Sequence, residues 1–149
     1  SKKSSGIDTA MGETWRDFLW QHLLGAKHAM IDLIAARFAA EPRLGLVFPE
    51  EPHLCDWNDN FELATDLAGK AGIQTPLPRF FEFPVGTMFW ARPEALRPLL
   101  AMGLDWEDYP REPLANDGTI LHALERLIPF AAATAGYHYA TVLVPGVRR

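Results

Sequence analysis

Five carboxylates fall in one short stretch, Asp105, Glu107, Asp108, Glu112 and Asp117, with Asn116 beside the last. A carboxylate fixed at the start of a helix can act as a general base when a substrate proton comes within hydrogen-bond reach. Neighbouring acids can also ligate a divalent cation through oxygen. The same residues have a plainer use: an Asp just ahead of a helix commonly caps it, and Glu107 and Asp108 suit a solvated loop. Both readings stay open at this point.

Other groupings carry less. His22, His28, His53, His122 and His138 are scattered and lack zinc spacing. His53, Cys55 and Asp56 are close in sequence, which by itself favours surface or structural roles. The chain has no Gly-x-Ser-x-Gly elbow for a hydrolase triad, and its glycines form neither a P-loop nor a dinucleotide fingerprint. Trp57, Trp90 and Trp106 carry rings able to stack on sugars, although buried aromatics usually serve the core.

The elements that must position these residues follow from periodicity. From Glu13, the residues Trp15, Phe18, Leu19, His22 and Leu23 recur at three and four, with Gly25 as the stop. Lys27 to Ala40 reads as a second helix with Met30, Leu33, Ile34 and Phe38 on its stripe, ended by Pro42. Leu44 to Phe48 is a continuous apolar run, hence a buried strand. Asn58 or Asp59 is placed to cap a third helix through Leu63, Leu67 and Ala68, closed by Gly69 or Gly72.

Thr75 to Pro78 is a turn, Arg79 to Phe83 a strand candidate, and Gly86 to Ala91 a buried strand entered through glycine. Pro93 opens a short helix, Glu94 to Met102, that Gly103 ends. Asp117 or Thr119 should cap a helix carrying Ile120, Leu124, Leu127 and Ile128, which Pro129 should kink or end. Tyr137 to Val144 is the last strand candidate. Helices alternating with short buried strands, without an internal repeat, give an α/β sandwich.

Bulk properties narrow the function classes. At 149 residues, 48% hydrophobic and 22% charged, the chain is a single globular domain. A formal charge of −5 argues against broad nucleic-acid binding. A single cysteine excludes an intrachain disulfide framework and fits a reducing, cytoplasmic compartment. No apolar run reaches membrane-spanning length, and no signal-peptide pattern opens the chain. The polar start, Ser1 to Gly6 without an initiator methionine, is read either as a piece cut from a longer protein or as a tag-derived, frayed end.

Gly86-Thr87-Met88-Phe89-Trp90-Ala91-Arg92-Pro93-Glu94-Ala95-Leu96 resembles the acceptor-side segment of GT-A glycosyltransferases, and Asn116-Asp117 before a helix bearing Glu125-Arg126 resembles the place of their Glu-Asp catalytic motif. More closely, the chain is similar to the rhamnan synthesis protein F family. Ser1 to Ser4, Gly12 to Leu24 with Trp15-Arg16, Phe83 to Ala91, Trp106-Glu107-Asp108 and Asn116-Asp117-Gly118-Thr119 carry that similarity over nearly the whole chain.

The resemblance implies helices on a short mixed sheet, like the C-terminal half of a GT-A enzyme, building rhamnose-rich cell-wall or lipopolysaccharide chains. Asp117 would be the base. Gly86 and Thr87 would let the acceptor approach the backbone, and Trp90 and Trp106, with Glu107, Asp108 and Asn116, would bind the sugar. Lys2 and Lys3 would lie near the donor diphosphate. The implied partners are a nucleotide sugar such as dTDP-rhamnose and a glycan acceptor, met by the intact parent at the inner face of the membrane.

The chain departs from the wider pattern. It lacks a nucleotide-binding βαβ half, Asp56-Trp57-Asn58-Asp59 is too irregular to serve as an Asp-x-Asp motif, and Asn116 stands where Glu is frequent. The expectation is an acceptor-side half spanning 1–149, inactive alone, with no cofactor of its own and any Mg or Mn bound by the parent. Two rivals remain: a noncatalytic carbohydrate-binding module using the same tryptophans, and an assembly domain docking through the first helix pair.

Overall fold

The computed structural model describes residues 9–51 and 56–147. Five α-helices pack on a small sheet: α1 Thr9–Leu23, α2 Met30–Ala40, α3 Phe61–Lys70, α4 Arg97–Leu100 and α5 Ile120–Thr134. The strands are β1 Leu44–Pro49, β2 Trp90–Ala91 and β3 His138–Val142, in the spatial order β2-β1-β3. β1 pairs antiparallel with β2 and parallel with β3, so the sheet is mixed, and the fold is α/β as expected.

β1 is apolar throughout because helices cover both of its faces, and all six of its residues are buried. Leu46 and Phe48 meet Ile128 and Ala132 of α5, while Leu44 and Val47 meet Ile34 of α2. Strict alternation would separate Leu44 from Val47. A register irregularity between Leu44 and Leu46 puts them on one side.

α5 is the central helix. One stripe, Ala123, Leu127 and Ala131, packs against Ala64, Leu67 and Ala68 of α3, and the adjoining stripe packs on the sheet. Its alanines let both neighbours approach closely. Burial on two sides also explains why the helix runs through Pro129 to Thr134 instead of ending there. Proline removes one helical hydrogen bond, the one that would reach the carbonyl four residues earlier, at Glu125.

Three other expectations shift. α2 starts at Met30, after a turn at Gly25 whose φ is +104° and where a Cβ would lie 2.2 Å from the His28 carbonyl oxygen. Leu33 then falls off the buried stripe and is exposed. Arg79 to Phe83 forms no strand. Side chains anchor that segment instead: Phe81 and Phe83 enter an aromatic cluster with Trp57 and Phe130, and Trp57 Nε1 donates to the Pro78 carbonyl at 2.7 Å. The expected buried strand over 86–91 shrinks to Trp90–Ala91, because Val85–Thr87 is a 3-10 turn containing Gly86 at φ +73°.

Candidate functional site

The loops around the first turns of α5 enclose a cleft of about 1150 Å³. Leu96, Leu99, Leu100, Leu104, Leu114 and Leu121 form its apolar wall. Asn58, Thr87, Asn116, Asp117, His122, Glu125 and Arg126 bring polar groups to it. A few convergent polar groups in a largely apolar depression is the usual build of a small-molecule site. A second hollow of about 750 Å³ shares Leu104, Tyr109, Leu114 and Leu121 with the first and adds Trp106. The two hollows are therefore adjacent.

Asp117 belongs to a buried network. Asn60, 0% exposed at the start of α3, donates from Nδ2 to Asp117 Oδ1 at 2.7 Å and to the Trp57 carbonyl at 2.9 Å. Its Oδ1 accepts the Gly118 N–H at 3.1 Å. Arg126 on α5, 6% exposed, sets Nη2 3.7 Å from Asp117 Oδ1, close enough for charge attraction but too far for a good hydrogen bond. The rest of its guanidinium donates to the Asp56 and His122 carbonyls, lies 3.9 Å from Glu125 and stacks 4.9 Å from the Phe83 ring centre. A charge this buried persists because every side of it has a partner.

These neighbours set the state of the acid. Burial by itself would raise the Asp117 carboxyl. The Asn60 amide, the Arg126 guanidinium, the Gly118 N–H and His122 outweigh it and hold the group below the ordinary aspartate value. Asp117 is therefore a carboxylate at neutral pH. It caps nothing: the N-cap position of α5 is Thr119, whose hydroxyl lies 2.8 Å from His122 Nδ1 instead of on a helix N–H.

Backbone strain gathers at the same place. Among the described residues, Asn58 and Thr87 are the non-glycines with positive φ, at 45° and 55°, and both line the cleft. The left-handed region is tolerable for Asn but costly for a β-branched residue. Thr87 is held there by its hydroxyl, which donates to Glu125 Oε1 at 2.9 Å. Such strain persists where the surroundings over-determine it, and functional sites are where it clusters.

Gly86, Thr87, Asn116 and Asp117 thus meet in one cleft, and Trp106 stands in the adjacent hollow, 89% exposed. The space a side chain at Gly86 would fill faces Trp15 and Leu19 of α1, both 3.4 Å from the absent Cβ. Trp90 is not on the cleft lining; its indole N–H donates to the Leu23 carbonyl at 2.9 Å. Glu107 and Asp108 lie outside both hollows. Asp108 instead closes a capping box with Asp105, accepting the Asp105 N–H at 2.8 Å. Lys2 and Lys3, with His53 and Cys55, lie outside the described residues.

Among the described residues no three His, Cys, Asp or Glu side chains gather as metal ligands. No described helix is long and apolar enough to cross a membrane.

Asn58, His122, Glu125 and Arg126 line the cleft, and Asn60 is buried behind Asp117, without having been expected as site residues. Ahead of a helix an Asn reads as a cap, and nothing local announces a partner 57 positions away.

The family described as rhamnan synthesis protein F matches residues 1–137. Two proteins of Xanthomonas campestris pv. campestris, strains B100 and ATCC 33913, each named uncharacterized protein WxcX, are 35% identical over 146 residues. The match covers 95% of this chain and 20% of each relative, so the chain spans about one fifth of their length. No solved structure matches it significantly.

Proposed function

The chain belongs to the rhamnan synthesis protein F family, whose name ties it to polysaccharide building, and from that premise we propose that it is the acceptor side of a glycosyltransferase with Asp117 as general base. The observation that carries this reading is a carboxylate on a cleft floor, kept ionised by Asn60 and Arg126.

In the proposed step, an acceptor sugar hydroxyl in the cleft attacks the anomeric carbon of a nucleotide sugar. The new oxygen–carbon bond forms while the bond to the diphosphate breaks, and the electron pair leaves with the nucleoside diphosphate. The hydroxyl proton passes to Asp117. A carboxylate below the ordinary aspartate range is a weak base toward a resting alcohol, so transfer comes late, when the attacking oxygen has grown acidic. The donor, a nucleotide sugar such as dTDP-rhamnose, and any divalent cation would be held by the rest of a longer protein carrying this chain, with Lys2 and Lys3 supplying charge to the diphosphate. Trp106 would stack on a sugar in the second hollow, its indole face against apolar C–H bonds.

The test is Asp117→Asn in a full-length protein carrying this chain, with circular dichroism confirming the fold. Loss of general-base help should slow sugar transfer roughly 10²- to 10⁴-fold; transfer at the unmodified rate removes Asp117 from the role. The exposure of Trp106 also favours a second reading, a noncatalytic glycan-binding module. That module would bind oligosaccharides in the two hollows yet show no transfer that depends on Asp117.

A further inference from the structure

We infer that Asn60 is the positioning residue of Asp117, fixing where its carboxylate lies in the cleft; this rests on the proposal that Asp117 accepts the acceptor proton. The argument is the complete use of one buried amide. The Trp57 carbonyl can only accept and the Gly118 N–H can only donate. Of the two ways the Asn60 amide can be turned, one satisfies both, with Nδ2 toward Trp57 and Oδ1 toward Gly118. That orientation leaves one N–H, and it points to Asp117 Oδ1 at 2.7 Å. The amide thus ties the turn before α3 to the loop before α5, and the carboxylate sits at the junction.

Two further facts separate this from ordinary core polarity. Asn60 ends the 3-10 turn that leads into α3, with helical backbone angles, and its side chain makes no capping bond, so its amide is free for Trp57, Gly118 and Asp117. It is also fully buried in a place where the neighbouring core is apolar, so its polarity is costly unless every bond is made. The charged and titratable groups acting on Asp117 are Arg126 and His122 from α5; Glu125 lies against Arg126, the Asp56 carbonyl accepts from Arg126, and Asp59 lies beside Gly118. Beside them Asn60 is a neutral side-chain donor, able to orient the carboxylate without neutralising it.

The experiment is a carboxyl-detected NMR titration of Asp117 in this chain, as it stands and with Asn60→Ala and Asn60→Asp. In the unmodified chain the Asn60 Nδ2 protons should shift with the same midpoint as Asp117, which requires no variant to fold. In Asn60→Ala the Asp117 midpoint should rise, because the carboxylate has lost a donor. In Asn60→Asp it should rise further, because a second carboxyl then faces it. A merely structural asparagine would lower thermal stability and leave the midpoint unmoved; that result, or Nδ2 protons indifferent to the Asp117 titration, overturns the assignment.

In a full-length protein carrying this chain, Asn60→Ala should cut kcat roughly 10- to 100-fold through misplacement of the base, with acceptor KM held. If the midpoints move as expected while Asp117→Asn leaves transfer intact, the base reading fails and the positioning of Asp117 by Asn60 stands.

Discussion

The floor of the cleft and the loop at its rim both carry acids, and the two are built in opposite ways. On the floor, residues far apart in sequence converge: Asn60 reaches Asp117 across 57 positions, and Arg126 reaches the Asp56 carbonyl across 70. Each of these polar groups is partnered, and the carboxylate has a defined charge state as a result. At the rim, Asp105, Glu107 and Asp108 are neighbours in the chain and exposed, and Asp105 and Asp108 are spent on their own turn through a capping box. Acid density along the chain marks the rim. The electrostatic environment that makes one acid useful marks the floor.

The contrast predicts different costs for changes in the two regions. The largest effect on stability should come from Arg126→Met, which keeps much of the volume but removes the cation beside Asp117 and takes the side-chain donor from the Asp56 carbonyl. A loss of about 3 kcal/mol is expected in urea unfolding; a loss under 0.5 kcal/mol would mean the network does not hold the floor together.

Next comes pH. The Asp117 carboxyl titrates lower in the folded chain than in the unfolded one, so its contribution is fully present above the unfolded value, near pH 4. It is lost as the pH falls through the lower folded value. Asp117→Asn should therefore flatten part of the acid limb of the stability profile, and an unchanged limb would show that the network does not depress the group.

Smaller effects belong to the rim. Trp106→Ala should alter stability by no more than about 0.5 kcal/mol, because the side chain is almost wholly exposed. Titration with rhamnose oligosaccharides should nevertheless show weaker binding, by roughly 1 to 3 kcal/mol if the indole carries a stacked sugar. Smallest of all is Glu107→Gln, expected to leave both stability and transfer where they are; a clear loss of transfer would move catalysis toward the rim.

How much of this the sequence discloses depends on whether the cause is local. β1, the buried stripe of α1 and the α3 and α5 faces follow from periodicity, because burial imposes the pattern directly. Pro129 does not end α5, since packing on two sides of the helix outweighs its local veto. Arg79 to Phe83 misleads in another way: alternating aromatics resemble a strand, but Phe81 and Phe83 alternate to enter an aromatic cluster. At the site, Asp117 is visible as an acid before a helix and as a motif position. Asn60 is not, because an asparagine at a helix start has a commonplace use and its actual partners come from the other end of the chain. Leu33 and Trp90 likewise show that helical spacing or an aromatic ring alone does not say which way a residue faces.

The most direct measurement is steady-state sugar transfer by a full-length protein carrying this chain, with acceptor varied, for Asp117→Asn and Trp106→Ala side by side. A floor that does chemistry and a rim that binds predict that Asp117→Asn loses kcat at least a hundredfold with acceptor KM little changed. They predict equally that Trp106→Ala raises acceptor KM and leaves kcat nearly intact. An Asp117→Asn enzyme that turns over at the unmodified rate, or one whose whole defect lies in acceptor KM, would contradict the account.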